Sequence, residues 1–133
     1  MDTYLFSGLK VLDVATVIAA PAAAMMLADF GAEVIKIERP GAGDMLRSLS
    51  NMPDTPDAGS NWFWQMDGRN KRSLTLDLKS EDGKEILRRL VEDCDVYITN
   101  QPYSVRESLG LTYEHLRPLN PAMIYASLTA YGE

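Results

Sequence analysis

The passage from Leu9 to Glu38 constrains this chain most: a β-rich run, an apolar helix and a second β-rich run follow one another within about thirty residues. Gly8 precedes Leu9-Lys10-Val11-Leu12-Asp13-Val14, which reads as a buried first strand. Pro21 suits the first position of a helix, Ala22 to Ala24 favour it, and Gly31 after Phe30 supplies the left-handed stop. The pattern predicts a helix over Pro21 to Phe30. Asp29 is its only charge, so it is expected to be packed on both sides rather than to lie on a wet surface. Val34-Ile35-Lys36-Ile37-Glu38 is the second strand. Such a βαβ unit implies parallel strands and a right-handed crossover.

The remaining sequence extends this pattern. From Pro40 to Asn70 periodicity disappears among Gly41, Gly43, Pro53, Pro56, Gly59 and Gly68, and Trp62-Phe63-Trp64 predicts that part of this excursion packs onto something. Ser73 to Leu78 alternates as a third strand. Ser80 is the expected cap of a helix carrying Glu81 and Asp82 in its first turn and Ile86, Leu87, Leu90 and Val91 as its apolar stripe. Asp95 to Thr99 is a fourth strand, Thr112 caps a short helix that ends before Pro118, and Met123 to Leu128 is a fifth strand. The expected fold is α/β, a Rossmann-like and mostly parallel sheet with flanking helices.

Composition narrows the function. At 133 residues with 46% hydrophobic side chains the chain suits one globular core, and its formal net charge of −6 disfavours nucleic acid and anionic lipid as partners. An anionic ligand therefore needs a local basic patch. Cys94 and His115 are the only residues of their types, which excludes a Cys/His zinc site and an intramolecular disulfide; no metal is expected. Cys94 reads as a small buried hydrophobe and His115 as a surface residue. The uncharged run Val14 to Ala28 is broken by Pro21, has weak basic flanks and is too short to span a bilayer, so a cytoplasmic protein without a membrane partner is expected.

In sheets of this kind ligands bind beyond the carboxyl ends of the strands. After the first strand, Ala15-Thr16-Val17-Ile18-Ala19-Ala20-Pro21 contains no glycine, which disfavours a dinucleotide pyrophosphate turn. After the second comes Arg39, beside Gly41 and Gly43, where a guanidinium either grips phosphate or pairs with a neighbouring acid. Arg69-Asn70-Lys71-Arg72 is the densest basic cluster, and Lys79 follows the third strand; these residues serve an anion site or form solvated turns. Asn100-Gln101-Pro102 follows the fourth strand and serves either a peptide-like ligand or a turn. Asp13 and Asp29 show no paired-carboxylate logic, and the chain offers no convincing nucleophile and base of its own.

Taken in order, Leu9-Lys10-Val11-Leu12-Asp13, Gly31-Ala32-Glu33-Val34-Ile35-Lys36-Ile37-Glu38, Gly41-Ala42-Gly43-Asp44, Asn70-Lys71-Arg72-Ser73 and Leu76-Asp77-Leu78-Lys79 resemble the family III coenzyme A transferases. That group includes formyl-CoA transferase, carnitine CoA-transferases and α-methylacyl-CoA racemases. The resemblance runs from about Gly8 to Gly132. It implies that Val17, Ile18 and Ala19 line a coenzyme A site, that Arg39 meets the nucleotide end, and that Leu76 and Lys79 continue the site. Asn100 and Gln101 stand where the family has Asn-Phe, near the pantetheine arm. An arginine common in the following helix falls at Ser108 here, and Arg106, two places earlier, is the expected cofactor-binding residue of that segment.

Family members are much longer, so the resemblance implies that residues 1–133 are the amino-terminal CoA-binding part of the large domain. The family's catalytic aspartate is expected beyond Glu133, which leaves this chain without a catalytic residue and inactive alone. The implied substrates are an acyl-CoA and a carboxylic acid, and the implied assembly is an interlocked homodimer. The alternatives are a noncatalytic CoA-binding or assembly module and a portion of an acyl-CoA racemase.

Overall fold

Hydrogen bonding in the computed structural model, which describes residues 4–51, 53–56 and 59–132, joins five strands into one sheet. They are β1 (Lys10–Asp13), β2 (Glu33–Glu38), β3 (Lys71–Thr75), β4 (Val96–Thr99) and β5 (Ile124–Ser127), in the order β3-β2-β1-β4-β5. Every pairing is parallel, with Leu12 opposite Ile35 on one side and Tyr97 on the other. The chain moves outward from β1 through β2 to β3, then returns to place β4 beside β1. That reversal is the topological switch point of an open α/β sheet.

The helices are α1 (Ala19–Asp29), α2 (Trp62–Gly68), α3 (Glu81–Glu92), α4 (Tyr103–Leu109) and α5 (Tyr113–Leu116). Alternation along the strands separates two cores. Val11, Ala15, Val34, Val96 and Ile98 pack against Ala20, Ala24 and Ala28 of α1, whose small side chains let the helix approach the sheet. On the opposite face Leu12, Val14, Ile37 and Tyr97 meet Leu87 and Val91 of α3 and Leu116 of α5. Cys94 belongs to this second core, and burial pushes its thiol up to about 12.

Several boundaries differ from the sequence reading. Helix α1 starts at Ala19, so Pro21 sits inside the first turn, where no intrahelical N–H partner is required. Its outer face is uncovered by the described residues: Met26 is 61% and Phe30 55% exposed, against the expectation of packing on both sides. Strand β3 is shifted toward the N-terminus because Asp77 turns the chain, its Oδ1 accepting from Lys79 N–H at 3.0 Å and its carbonyl from Ser80 N–H at 3.0 Å. Gly83 permits that turn to pack, since a Cβ there would lie 2.1 Å from the Asp77 carbonyl oxygen. Ser80 does cap α3, its Oγ accepting from Gly83 N–H at 3.0 Å. Thr112 occupies the N-cap position of α5, but its hydroxyl engages His115 Nδ1 at 2.8 Å rather than a backbone amide. Among the described residues no helix is long and apolar enough to cross a membrane.

The excursion after β2 contains structure that periodicity did not reveal. Asp44 caps a 3₁₀ turn over Met45–Arg47, and Asn61 caps α2 through Trp64 N–H at 3.0 Å. Asn61 Nδ2 also donates to the carbonyls of Leu46 and Arg47 at 2.8 Å each, tying α2 to that turn. Arg47 lies over the Trp64 ring at 3.7 Å, and Trp62 stacks on Phe63 at 3.5 Å.

Candidate functional site

The α1-facing side of the sheet becomes charged toward the carboxyl ends of its strands. Asp13, Lys36, Glu38, Lys71 and Ser73 continue positions that are apolar one turn of pleat earlier, at Val11 and Val34. The Asp13 side chain is fully buried, with Lys71 Nζ 2.8 Å and Lys36 Nζ 3.5 Å from its Oδ2. Lys71 also donates to the Pro21 carbonyl at 2.6 Å. Lys36 Nζ lies 2.9 Å from Asp44 Oδ2, an ion contact without hydrogen-bond alignment. Two buried aspartates therefore oppose two buried lysines, which satisfies the requirement that interior charges be matched. Burial pushes the Lys71 ammonium down from its ordinary value, and Asp13 opposes that shift.

A second pair adjoins the first. Glu38 accepts from Arg47 Nε at 2.6 Å and Nη2 at 2.7 Å, from Ser73 Oγ at 2.5 Å and from Asp44 N–H at 2.9 Å. Burial alone raises the Glu38 carboxyl, but these donors prevail and bring it down to about 2. Gly43 makes the arrangement possible: its φ is +66°, and a Cβ would lie 2.7 Å from Glu38 Oε2.

Above this layer the loop leaving β1 is held on every side. Ala15 N–H donates to Asp13 Oδ1 at 3.2 Å, and the Ala15 carbonyl accepts from Lys36 Nζ at 2.8 Å. Thr16 N–H donates to Asn100 Oδ1 at 2.9 Å, and the Thr16 carbonyl accepts from Asn100 Nδ2 at 2.7 Å. Val17 N–H donates to Asp44 Oδ1 at 3.3 Å. Val17 stands at φ +69°, a left-handed conformation that costs a β-branched residue on the order of 1–3 kcal/mol. Side chains on or just after β1 and β4, with Asp44 from the excursion, thus occupy the amides that a phosphate-binding turn would leave free.

Because Asn100 bridges the switch point, the open cleft lies one strand over, above β1, β2 and the segment after β3. It measures about 380 Å³ and includes Val17, Arg39, Asp44, Leu76, Lys79 and Gln101 in its lining. Arg39 is exposed, with Nε donating to the Gly43 carbonyl at 3.1 Å, and neither Arg39 nor Lys79 has an ion pair among the described residues. Gln101 contributes to the lining, and its Oε1 is buried from solvent without a hydrogen-bond partner.

The other expected positions lie elsewhere. Ile18 and Ala19 are exposed at the start of α1, outside the lining, and Asn100 has its amide on Thr16. Arg106 is 1% exposed, with Nε donating to the Gln101 carbonyl at 2.9 Å and Nη1 to Tyr125 Oη at 3.1 Å, so it supports the segment bearing Gln101 from behind. The basic cluster is engaged internally: Arg69 and Asn70 hold Asp29 at 2.6 and 2.7 Å, Lys71 holds Asp13, and Arg72 pairs with Glu33 at 3.2 Å. Reading residues singly missed Asp44 and Lys36; the signal for Lys36 was a base at a strand position where an apolar side chain is expected, whereas Asp44, in the loop after β2, carried none. No group of three His, Cys, Asp or Glu among the described residues is arranged to hold a metal ion.

Comparison with known proteins agrees with this architecture. The chain is 40% identical over 126 residues to a formyl-CoA:oxalate CoA-transferase of Afipia carboxidovorans, covering 95% of this chain and 29% of that protein. It is 42% identical over 133 residues to a cinnamoyl-CoA:phenyllactate CoA-transferase of Clostridium sporogenes, covering 99% and 32%. It superposes on a CAIB/BAIF family protein from Brucella suis with a TM-score of 0.88 and 38% identity, over 98% of this chain and 35% of that one. The Mycobacterium tuberculosis protein Rv3272 gives 0.86 and 37%, over 97% and 34%. The chain thus spans about a third or less of these relatives. The family model for CoA-transferase family III matches residues 6–133, and the chain belongs to that family.

Proposed function

We propose that this chain forms the CoA-binding wall of an enzyme that moves CoA between an acyl-CoA and a carboxylic acid. The observation that carries the reading is the pair of cations, Arg39 and Lys79, without ion-pair partners among the described residues at one cleft of an otherwise acidic molecule. The phosphates of CoA would meet them, each charge-assisted hydrogen bond contributing about 1.5–3 kcal/mol. Val17 and Leu76 would pack against the ligand's apolar parts, and the Gln101 side chain, whose buried Oε1 has no partner to lose, would turn toward the cleft to accept from an amide N–H of the pantetheine arm. Ile18 and Ala19 would border the entrance, while Asn100 and Arg106 would act through Thr16 and Gln101.

The covalent chemistry belongs to the part of the family fold that these residues do not span. There an aspartate carboxylate would attack the thioester to give a mixed anhydride and CoA thiolate, and the thiolate would attack the aspartyl carbonyl and release the first acid as its carboxylate. The second carboxylate would attack the aspartyl thioester to form a new anhydride, whose acyl carbonyl the thiolate then takes, freeing the aspartate. The names of the relatives favour oxalate-type or aryl acids as substrates; the assembly proposed is an interlocked homodimer, located in the cytoplasm. Calorimetric titration tests the reading: CoA should bind more tightly than NAD, and the isolated chain should bind without turning over any acyl-CoA and acid pair. Tighter binding of NAD, or transferase turnover by a monodisperse 133-residue monomer, would overturn it.

A further inference from the structure

Asp44 touches the strained turn, lines the cleft and meets the buried charge layer. It is 4% exposed, its Oδ1 accepts from Val17 N–H at 3.3 Å and Leu46 N–H at 2.9 Å, and its Oδ2 lies 2.9 Å from Lys36 Nζ. Lys36 in turn donates to the Ala15 carbonyl at 2.8 Å. A closed circuit therefore runs from the Ala15 carbonyl through Lys36 and Asp44 to the Val17 amide, enclosing the turn that walls the cleft. Asp13 and Lys71 form a second buried pair beside it.

We propose that Asp44, braced by Lys36, is a positioning residue that holds Val17 in its left-handed conformation and so keeps the ligand wall in its binding geometry. The proposal rests on the CoA reading for its affinity consequence. An ordinary φ at residue 17 would swing the isopropyl group and the Thr16–Val17 peptide away from their present places. A wall that is only fractionally in the competent geometry lowers apparent affinity by that fraction. Glycine would tolerate the same φ without strain, which makes the coupling between positions 17 and 44 measurable.

The test is a double-mutant cycle titrated with CoA, combined with the HN–Hα coupling of residue 17 by NMR. Asp44→Ala should weaken CoA binding by about tenfold or more and move the residue 17 coupling off its left-handed value, and Asp44→Asn, which keeps an acceptor oxygen, should recover part of both. In a Val17→Gly background the Asp44→Ala loss should shrink below about threefold. Should Asp44→Ala not fold, the pair Lys36→Met with Asp44→Ala, which removes one charge of each sign, is compared in the same two backgrounds. Equal losses in both backgrounds, or an unchanged residue 17 coupling in the Asp44 variants, would overturn the proposal. Failure of the unmodified chain to bind CoA overturns the CoA reading alone, and the residue 17 coupling then decides the positioning role.

Discussion

Two sets of basic residues in this molecule have opposite fates. Arg69 to Arg72 are adjacent in sequence and dense in charge, yet Arg69, Lys71 and Arg72 each meet an acid, with Lys71 buried against Asp13. Arg39 and Lys79 are forty residues apart, within a single cleft, and without ion-pair partners among the described residues. Density along the chain therefore marks where the fold needs counter-charges for its own acids. The two cations at the cleft are the ones proposed to meet a ligand.

The strongest way to break this contrast is to truncate the buried cation. Lys71→Ala should leave the Asp13 carboxylate facing only Lys36 at 3.5 Å, and about 3–5 kcal/mol of stability should be lost in urea denaturation. Arg72→Ala, one residue away on an exposed pair, should change stability by about 1 kcal/mol or less. Comparable losses at the two positions would remove the distinction between buried and solvated members of the cluster.

At the cleft the pattern should reverse. Arg39→Ala should reduce CoA binding by about 1.5–3 kcal/mol with unfolding unchanged, whereas Arg88→Ala, on α3 beside Glu85, should leave binding as it is. Equal effects on binding would mean that Arg39 is an ordinary surface charge.

A smaller, pH-dependent effect sharpens the account of the layer beneath. The folded Glu38 carboxyl lies near 2 against an ordinary 4.5, so its stabilisation is fully present above 4.5 and disappears as pH falls toward 2. Melting temperatures of the parent chain and Glu38→Gln should therefore converge between pH 4.5 and pH 2. A gap that stays constant over that window would show that the Arg47 and Ser73 contacts do not hold the charge.

The central strands were legible as short β-rich apolar runs buried on both faces, α1 as an apolar run between Pro21 and Gly31, and α3 by its apolar stripe of Leu87 and Val91. Helix α2 escaped because its seven-residue span is too short for a clear period and is fixed by tertiary contacts of Asn61 and Arg47, while α4, equally short, was expected only through the family resemblance around Ser108. The cleft's Arg39, Leu76 and Lys79 could be placed at strand ends from sequence order. The roles of Asp44 and Lys36 could not, because an ion pair between a strand and the loop eight residues later depends on how that loop folds back. Likewise Asn100 looked like a ligand contact, and only its position across the β1–β4 crevice shows that Thr16 takes its amide.

Backbone amide mapping during titration with CoA addresses the central contrast most directly. The account predicts progressive shifts at Val17, Arg39, Leu76 to Lys79 and Gln101, with Arg69, Asn70 and Arg72 unmoved. Shifts concentrated at Arg69 to Arg72, with the cleft residues silent, would contradict it.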